Sequence, residues 1–189
     1  MTLKRTRTAG SPRLWIPRPF RILALDPGGT TGWAHCKYNG NPELNFEFTS
    51  GHIGPDEHHE DLWRWLVVSN HEYDDAPLEL VCESFELRQH INHGGAKTKV
   101  ELISKEYIGV IKLFAASRDL KLKFQTASAG KTMFPDKGPQ ANVKLKQVGV
   151  YKPVSTWVHA MDAMRHLLRY LVAEKHIREP LTDKWLKDN

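Results

Sequence analysis

The feature that most constrains the fold is an uninterrupted apolar run that stops at an acidic residue. Residues 21–26 read RILALD, and PGGTTGWA follows, a glycine-rich turn that leads into a second apolar stretch. A short apolar run bounded by proline and glycine is typical of a β-strand that is covered on both faces. Such a strand needs packing layers on each side of its sheet, so the run predicts a layered α/β domain. Asp26 then lies where this strand ends.

The remaining pattern predicts four further strands and three longer helices. The strands are predicted at residues 31–38, 45–53, 78–83 and 120–126, and the helices at 56–69, 100–117 and 155–175. Residues 84–99 are rich in His, Asn, Gly and Lys, which predicts a mobile loop, and 127–153 predict short helices broken at prolines. Three strands, then helix, strand, helix, strand and helix, indicate an α/β domain with a mixed sheet.

Length and composition indicate one domain with two tails. The chain has 189 residues, 40% of them hydrophobic and 26% charged, which is ordinary for a globular protein. We expect a basic, flexible arm at 1–20, the folded domain at 21–178 and a tail at 179–189. No apolar run reaches the roughly 18 residues that span a bilayer, so no membrane partner is expected. Cys36 and Cys82 lie in strand-like runs and are expected to be buried free thiols.

The charge distribution indicates a polyanionic partner. The net charge is +5 and the sequence pI is about 9.2. The segment before Asp26 carries six Lys or Arg residues and no acidic one, with prolines between them. A segment of this composition does not fold alone. It is either an arm that contacts nucleic-acid phosphates or a solubilising tail.

Acidic and histidine side chains are expected to meet at one end of the sheet. Asp26 and Glu83 each end a predicted buried strand, and the carboxyl ends of parallel strands are where sites form. His159, Asp162 and His166 are spaced to share one side of the final helix. Carboxylates brought together repel each other unless a cation neutralises them, and oxygen-rich sites suit Mg²⁺ or Mn²⁺. Taken singly, each residue has a simpler interpretation as a turn, a solvated helix face or a core-edge histidine.

Three motifs together resemble the ribonuclease H-like nucleases of the RuvC type, the Holliday junction resolvases. The motifs are LALDPGGTTGWA at residues 23–34, VCESF at 81–85 and HAMDAMRH at 159–166, and the resemblance covers about 21–171. It implies a five-stranded mixed sheet in the order 3-2-1-4-5, flanked by helices. It also implies a homodimer with two divalent ions, Mg²⁺ or Mn²⁺, in each active site. The chain departs from the family pattern in residues 126–147, where a proline-led, glycine-rich segment is usual.

The resemblance assigns the catalytic and metal-binding roles to four residues. Asp26 would bridge the two ions, Glu83 and Asp162 would each serve one side, and His159 would complete the shell or position the attacking water. The implied reaction is hydrolysis of branched DNA, four-way junctions and flaps included, to a 5′ phosphate and a 3′ hydroxyl. Without bound metal, Asp26→Asn or Asp162→Asn is expected to relieve carboxylate repulsion and to spare the fold.

Further residues are expected to contact the DNA. Phosphate contacts are expected from Lys97, Lys99 and Lys131 and from Arg5, Arg7 and Arg13 of the arm. Stacking on unpaired bases is expected from Phe85, His90 and His93.

Two other functions compete with the nuclease. The DPGGTTGW loop is also similar to the first phosphate loop of actin-like ATP-binding proteins, although those need a second such domain. A catalytically idle nucleic-acid-binding domain is the other alternative. For the nuclease, we expect a dimer contact through the helix at 100–117 on the face that bears Tyr107. The expected location is the cytoplasm of a bacterium, phage-infected or not.

Overall fold

The computed structural model describes residues 18–40, 46–54, 59–71, 76–85, 95–153 and 157–175. The arm residues Arg5, Arg7 and Arg13, the loop residues His90 and His93, and the tail at 179–189 lie outside this description. Within the described ranges, no helix is both long and apolar enough to cross a membrane.

Five strands and five helices make up the described domain. The strands are β1 Phe20–Asp26, β2 Thr31–Tyr38, β3 Glu47–Ile53, β4 Leu78–Ser84 and β5 Lys121–Thr126. The helices are α1 His59–His71, α2 Gly95–Ser117, α3 Ala127–Met133, α4 Val143–Val148 and α5 Val158–Ala173. The predicted strands all form, and their ends differ from the prediction by no more than two residues.

The sheet has the order β3-β2-β1-β4-β5, so the predicted order 3-2-1-4-5 is confirmed. β1, β2 and β3 pair antiparallel because short turns join them. β4 lies parallel to β1, and β5 lies parallel to β4, because longer connections that carry α1 and α2 return the chain to the same end. The predicted mixed sheet is therefore confirmed, with β1 at its centre.

The sheet has a separate apolar layer on each face. Successive residues of β1 alternate between the layers, so Ile22 and Ala24 pack toward α5 while Leu23 and Leu25 pack toward α1 and α2. This explains why the run has no polar alternation. The two cysteines are buried free thiols, as predicted, and burial raises the pKa of both.

Helix α5 is buried on more than its apolar side. Met161, Met164 and Leu168 pack in the core, but every other residue from 160 to 168 is buried as well. Between residues 160 and 168 the polar side of this helix therefore faces protein and not solvent. Its polar residues must find partners inside the fold.

Two expectations for α2 were wrong. The helix begins at Gly95, five residues before the predicted start, and so occupies part of the predicted loop. Residues 97–99 are polar and lack apolar periodicity, but the first turns of a helix can form without burying an apolar face. Tyr107, expected at a dimer contact, is buried in the chain's own core, and its ring centroid lies 5.0 Å from that of His59. Tyr107 is therefore not available to a second copy.

Candidate active site

Asp26 is the centre of the candidate site. It is the last residue of β1 and is only 8% exposed. Burial raises the pKa of Asp26; a hydrogen bond from His159 opposes this rise, and the negative charges of Glu83 and Asp162 add to it. The four residues predicted from the sequence thus lie within one electrostatic neighbourhood.

A close approach of α5 to β2 places His159 beside Asp26. Gly32 is the register partner of Asp26 across the β1–β2 pair. A Cβ at Gly32 would lie 2.0 Å from the carbonyl oxygen of His159, so only glycine lets α5 begin at this position. His159 Nδ1 then lies 3.0 Å from Asp26 Oδ2. This hydrogen bond is the main cause of the raised pKa of His159. Partial burial of the imidazole acts in the opposite direction and lowers the pKa.

Two cations occupy the carboxylate of Asp162. Arg165 Nη1 donates to Oδ1 at 2.6 Å, and Lys131 Nζ lies 3.1 Å from Oδ2. Lys131, predicted as a phosphate-binding residue, therefore lies in the site itself. Burial alone would lower the pKa of Lys131, but its ion pairs with Asp162 and Asp136 prevail and raise it.

Arg165 is a site residue that sequence reasoning missed. It is 4% exposed, and besides Asp162 it contacts the carbonyl oxygen of Phe134 through Nε at 3.0 Å and the side-chain oxygen of Asn142 through Nη2. Arg165 thus ties the segment between α3 and α4 to the acidic site. The spacing of Asp162 and Arg165, three residues apart on a helix, was the available signal.

Helix α3 can reach Asp162 because it carries a glycine at its contact with α5. A Cβ at Gly130 would lie 3.0 Å from Cβ of Arg165, tighter than ordinary packing. Lys131 follows Gly130 directly, so the same close approach brings its ammonium group to Asp162. The GKT sequence at residues 130–132 serves helix packing here.

Glu83 is held by a buried histidine. His166, whose role the sequence left open, is 1% exposed and places Nε2 2.9 Å from Glu83 Oε2. Its Nδ1 lies 3.0 Å from Oε1 of Gln125, and the Gln125 amide nitrogen donates to the His166 carbonyl oxygen at 3.2 Å. Gln125 is the register partner of Glu83 in the β4–β5 pair, a relation that a sequence pattern does not reveal. Together the two residues fix the orientation of the Glu83 carboxylate.

The four candidate ligands are of the type that a hard divalent cation binds, but each of them is already paired with another side chain. Carboxylate oxygens and an imidazole are suitable ligands for Mg²⁺ or Mn²⁺. Burial is the main cause of the raised pKa of Asp26, and the negative charges of Glu83 and Asp162, which a cation would offset, add to it. Among the described side chains, however, no three acidic, His or Cys groups converge closely enough to hold an ion. A bound cation would therefore have to compete with His159 for Asp26 and with Lys131 for Asp162.

Of the remaining residues predicted to contact DNA, the structure describes the side chain of Phe85 but not those of Lys97 and Lys99. Phe85 follows β4 and is half-buried against the α1–α2 layer, which leaves part of its ring accessible. Lys97 and Lys99 lie in the first turns of α2, and their side chains are outside the described set.

A five-stranded mixed sheet in this order, with helices on both faces, is the ribonuclease H-like fold. Among solved structures, the chain is similar to RuvC from T. thermophilus in complex with Holliday junction substrate. That likeness has a TM-score of 0.60 and 16% identity, and it covers 83% of this chain and 96% of the other. A second structure of Thermus thermophilus RuvC gives a TM-score of 0.57 and 15% identity over the same shares. The sequence matches no family model and no curated protein.

Proposed function

We propose that this protein is a divalent-metal-dependent endonuclease that hydrolyses phosphodiester bonds in branched DNA, four-way junctions included. The observation that carries the proposal is the meeting of Asp26, Glu83 and Asp162 with His159 at the carboxyl ends of β1 and β4. A structural role would not need three carboxylates whose mutual repulsion opposes ionisation of Asp26. The RuvC structure in complex with Holliday junction substrate supports the choice of DNA.

Each residue of the site has a separate task in this proposal. Asp26, Glu83 and Asp162 would hold two Mg²⁺ or Mn²⁺ ions, and His159 would complete the shell or orient the attacking water. Divalent ions, when bound, supply Lewis acidity to the phosphate and lower the pKa of a water nucleophile. Lys131, which pairs with Asp162 in the metal-free structure, would contact the phosphate once a metal ion displaces it from that carboxylate. His166 and Gln125 keep Glu83 in place throughout.

The same proposal includes the assembly and the arm. A four-way junction offers two symmetry-related strands, and a two-fold homodimer would place one active site on each. The basic segment at 1–20 would add phosphate contacts through Arg5, Arg7 and Arg13. Because Tyr107 is buried, the dimer contact must use another surface.

A nuclease assay tests the proposal directly. Four-way, flap, duplex and single-stranded DNA would be incubated with the protein and Mg²⁺ or Mn²⁺, with Asp26→Asn as the inactive control. We expect the protein to nick the branched substrates only when the metal is present. The nicks should carry 5′ phosphates. Tight DNA binding without cleavage in either metal would establish the idle binding domain instead. Micromolar ATP binding without DNA cleavage would favour the actin-like alternative.

A further inference from the structure

An aromatic groove lies on the α5 face of the sheet, beside edge strand β3. It encloses about 310 Å³, and its walls include Phe46, Phe48 and Tyr151, with Met164 of α5 at its inner side. The rings of Phe46 and Phe48 are stacked, with centroids 6.1 Å apart and planes 19° apart. All three aromatic residues are only half-buried. Their ring surfaces are thus partly open to a ligand.

Lysines accompany these rings. Lys152 lines the groove, donates to the carbonyl oxygen of Ser50 at 3.0 Å and places Nζ 4.0 Å from the ring centroid of Trp157. Lys146 is exposed, and its Nζ lies 5.1 Å from the ring centroid of Tyr151. Aromatic faces with ammonium groups beside them are the composition of surfaces that bind single-stranded nucleic acids. The rings accept the bases and the cations contact the phosphates.

The groove leads to the candidate active site. Trp157 lies two residues before His159, and its ring meets that of His52 edge to face at 5.5 Å. His52 is the register partner of Gly32, which is itself the partner of Asp26. His52 lies four positions after Phe48 on β3, a distance of roughly 13 Å along an extended strand. A DNA strand that passes the carboxylates of the candidate active site can therefore continue along β3 into the groove.

We propose that this groove binds the bases of an unpaired DNA strand next to the phosphate that is cleaved. The inference rests on the proposed function, and it names the part of the substrate that the protein holds outside the catalytic residues. Charge complementarity favours nucleic acid over an apolar protein segment, because Lys152 lines the groove and Lys146 lies beside the ring of Tyr151. Stacking on Phe48 and Tyr151 requires splayed bases, which an unpaired strand supplies and an intact duplex does not.

Binding of two strands that differ only in their bases tests the groove. The full chain would be titrated, in buffer with chelator, into a fluorescent 12-nucleotide oligothymidylate and into an abasic strand of the same length and charge. We expect the wild type to bind thymidylate about tenfold more tightly than the abasic strand. Tyr151→Leu and Phe48→Leu should lose most of this difference, whereas Tyr151→Phe should keep it.

A matched control and a salt titration separate stacking from charge. Phe124 on β5, at the opposite edge, is also half-buried and has a lysine beside its ring, with Nζ of Lys112 5.3 Å from the centroid. Phe124→Leu should leave the preference for thymidylate unchanged. Lys152→Gln should reduce the slope of log affinity against log salt by about 0.7, the contribution of one single-strand phosphate.

Photo-cross-linking shows where the bases lie, even if a leucine variant folds poorly. A strand that carries 5-iododeoxyuridine should cross-link to Phe48 or Tyr151 of the wild type. Equal affinity for thymidylate and abasic strands, or cross-links confined to other surfaces, would overturn the proposal that the groove binds bases. Self-association that Tyr151→Leu abolishes, without any base preference, would assign the groove to a second copy and overturn the proposal as well.

Cleavage measured in the same preparations keeps the two proposals apart. If the wild type cuts junctions but shows no base preference, the nuclease proposal stands and the groove proposal is wrong. If the wild type cross-links bases at Tyr151 but cuts no substrate, base binding in the groove stands and the nuclease proposal is wrong.

Discussion

Removing the same charge at two positions of the site should change the stability in opposite directions. Asp162 accepts from the buried Arg165 at 2.6 Å and pairs with Lys131 at 3.1 Å. Asp162→Asn replaces the carboxylate with an amide that cannot neutralise either cation. Arg165 keeps its contacts to Phe134 and Asn142, so the cost is that of one charged hydrogen bond and not of a fully isolated charge. We therefore expect a loss of about 2–3 kcal/mol in the free energy of unfolding, whereas the sequence alone led us to expect that this variant would relieve repulsion and spare the fold.

Asp26→Asn should instead stabilise the metal-free protein at neutral pH. The pKa of Asp26 is raised in the fold, chiefly by burial, so the folded state holds the protonated form more tightly than the unfolded state does. The stabilising effect of that proton is complete below the ordinary pKa of 3.8 and is lost as the pH rises through the raised value. An asparagine resembles the protonated form at every pH. Its advantage over the wild type should therefore be absent at pH 3 and present at pH 7.

Urea denaturation in chelator at pH 7 measures both effects, with Asp136→Asn as the control. Asp136 also pairs with Lys131, at 3.3 Å, but its partner is partly exposed and the pair contributes little. We expect the control to change the unfolding free energy by less than about 0.5 kcal/mol. A stable Asp162→Asn protein, equal to the wild type or better, would show that Arg165 does not depend on Asp162. The assignment of an internal counter-ion would then be wrong.

Three further expectations concern other parts of the domain. Gly32→Ala adds a Cβ 2.0 Å from the His159 carbonyl oxygen, so it should displace the start of α5 and abolish cleavage. Urea denaturation should show a loss of about 1–3 kcal/mol in the free energy of unfolding. Full activity would contradict this packing. His166→Leu frees the Glu83 carboxylate and should lower the cleavage rate roughly 10- to 100-fold in a metal titration, while an unchanged rate would exclude a positioning role. Burial, with the nearby charges of Arg21 and Lys37, lowers the pKa of His35 from 6.5 to about 4, so stability is lost as the pH falls from 6.5 toward 4. His35→Gln should remove about 2 kcal/mol of the loss between pH 7 and pH 5; equal losses in both proteins would contradict the shift.

The sequence by itself determined the sheet and the end of the sheet at which the acidic residues meet. The apolar run that ends at Asp26 required cover on both faces, and the structure supplies α5 on one and α1 with α2 on the other. Asp26 and Glu83 end neighbouring parallel strands because the chain returns through a helix between them. The spacing of His159 and Asp162 placed both on one side of α5. Local periodicity is sufficient for the strands and the helices, whereas the order of the strands, and with it the adjacency of β1 and β4, was implied by the family resemblance.

Only the tertiary structure decided how the charges of the site are balanced. The pairing of Asp162 with Lys131 depends on how closely α3 approaches α5, which the contact at Gly130 sets. Arg165 lies three residues after Asp162, and polar residues at this spacing usually form a solvated helix face, yet this part of α5 is covered by segments distant in sequence. His166 reaches Glu83 because β4, β5 and α5 meet there. Ion pairs between distant segments depend on distances in space, and no periodicity along the chain encodes those distances.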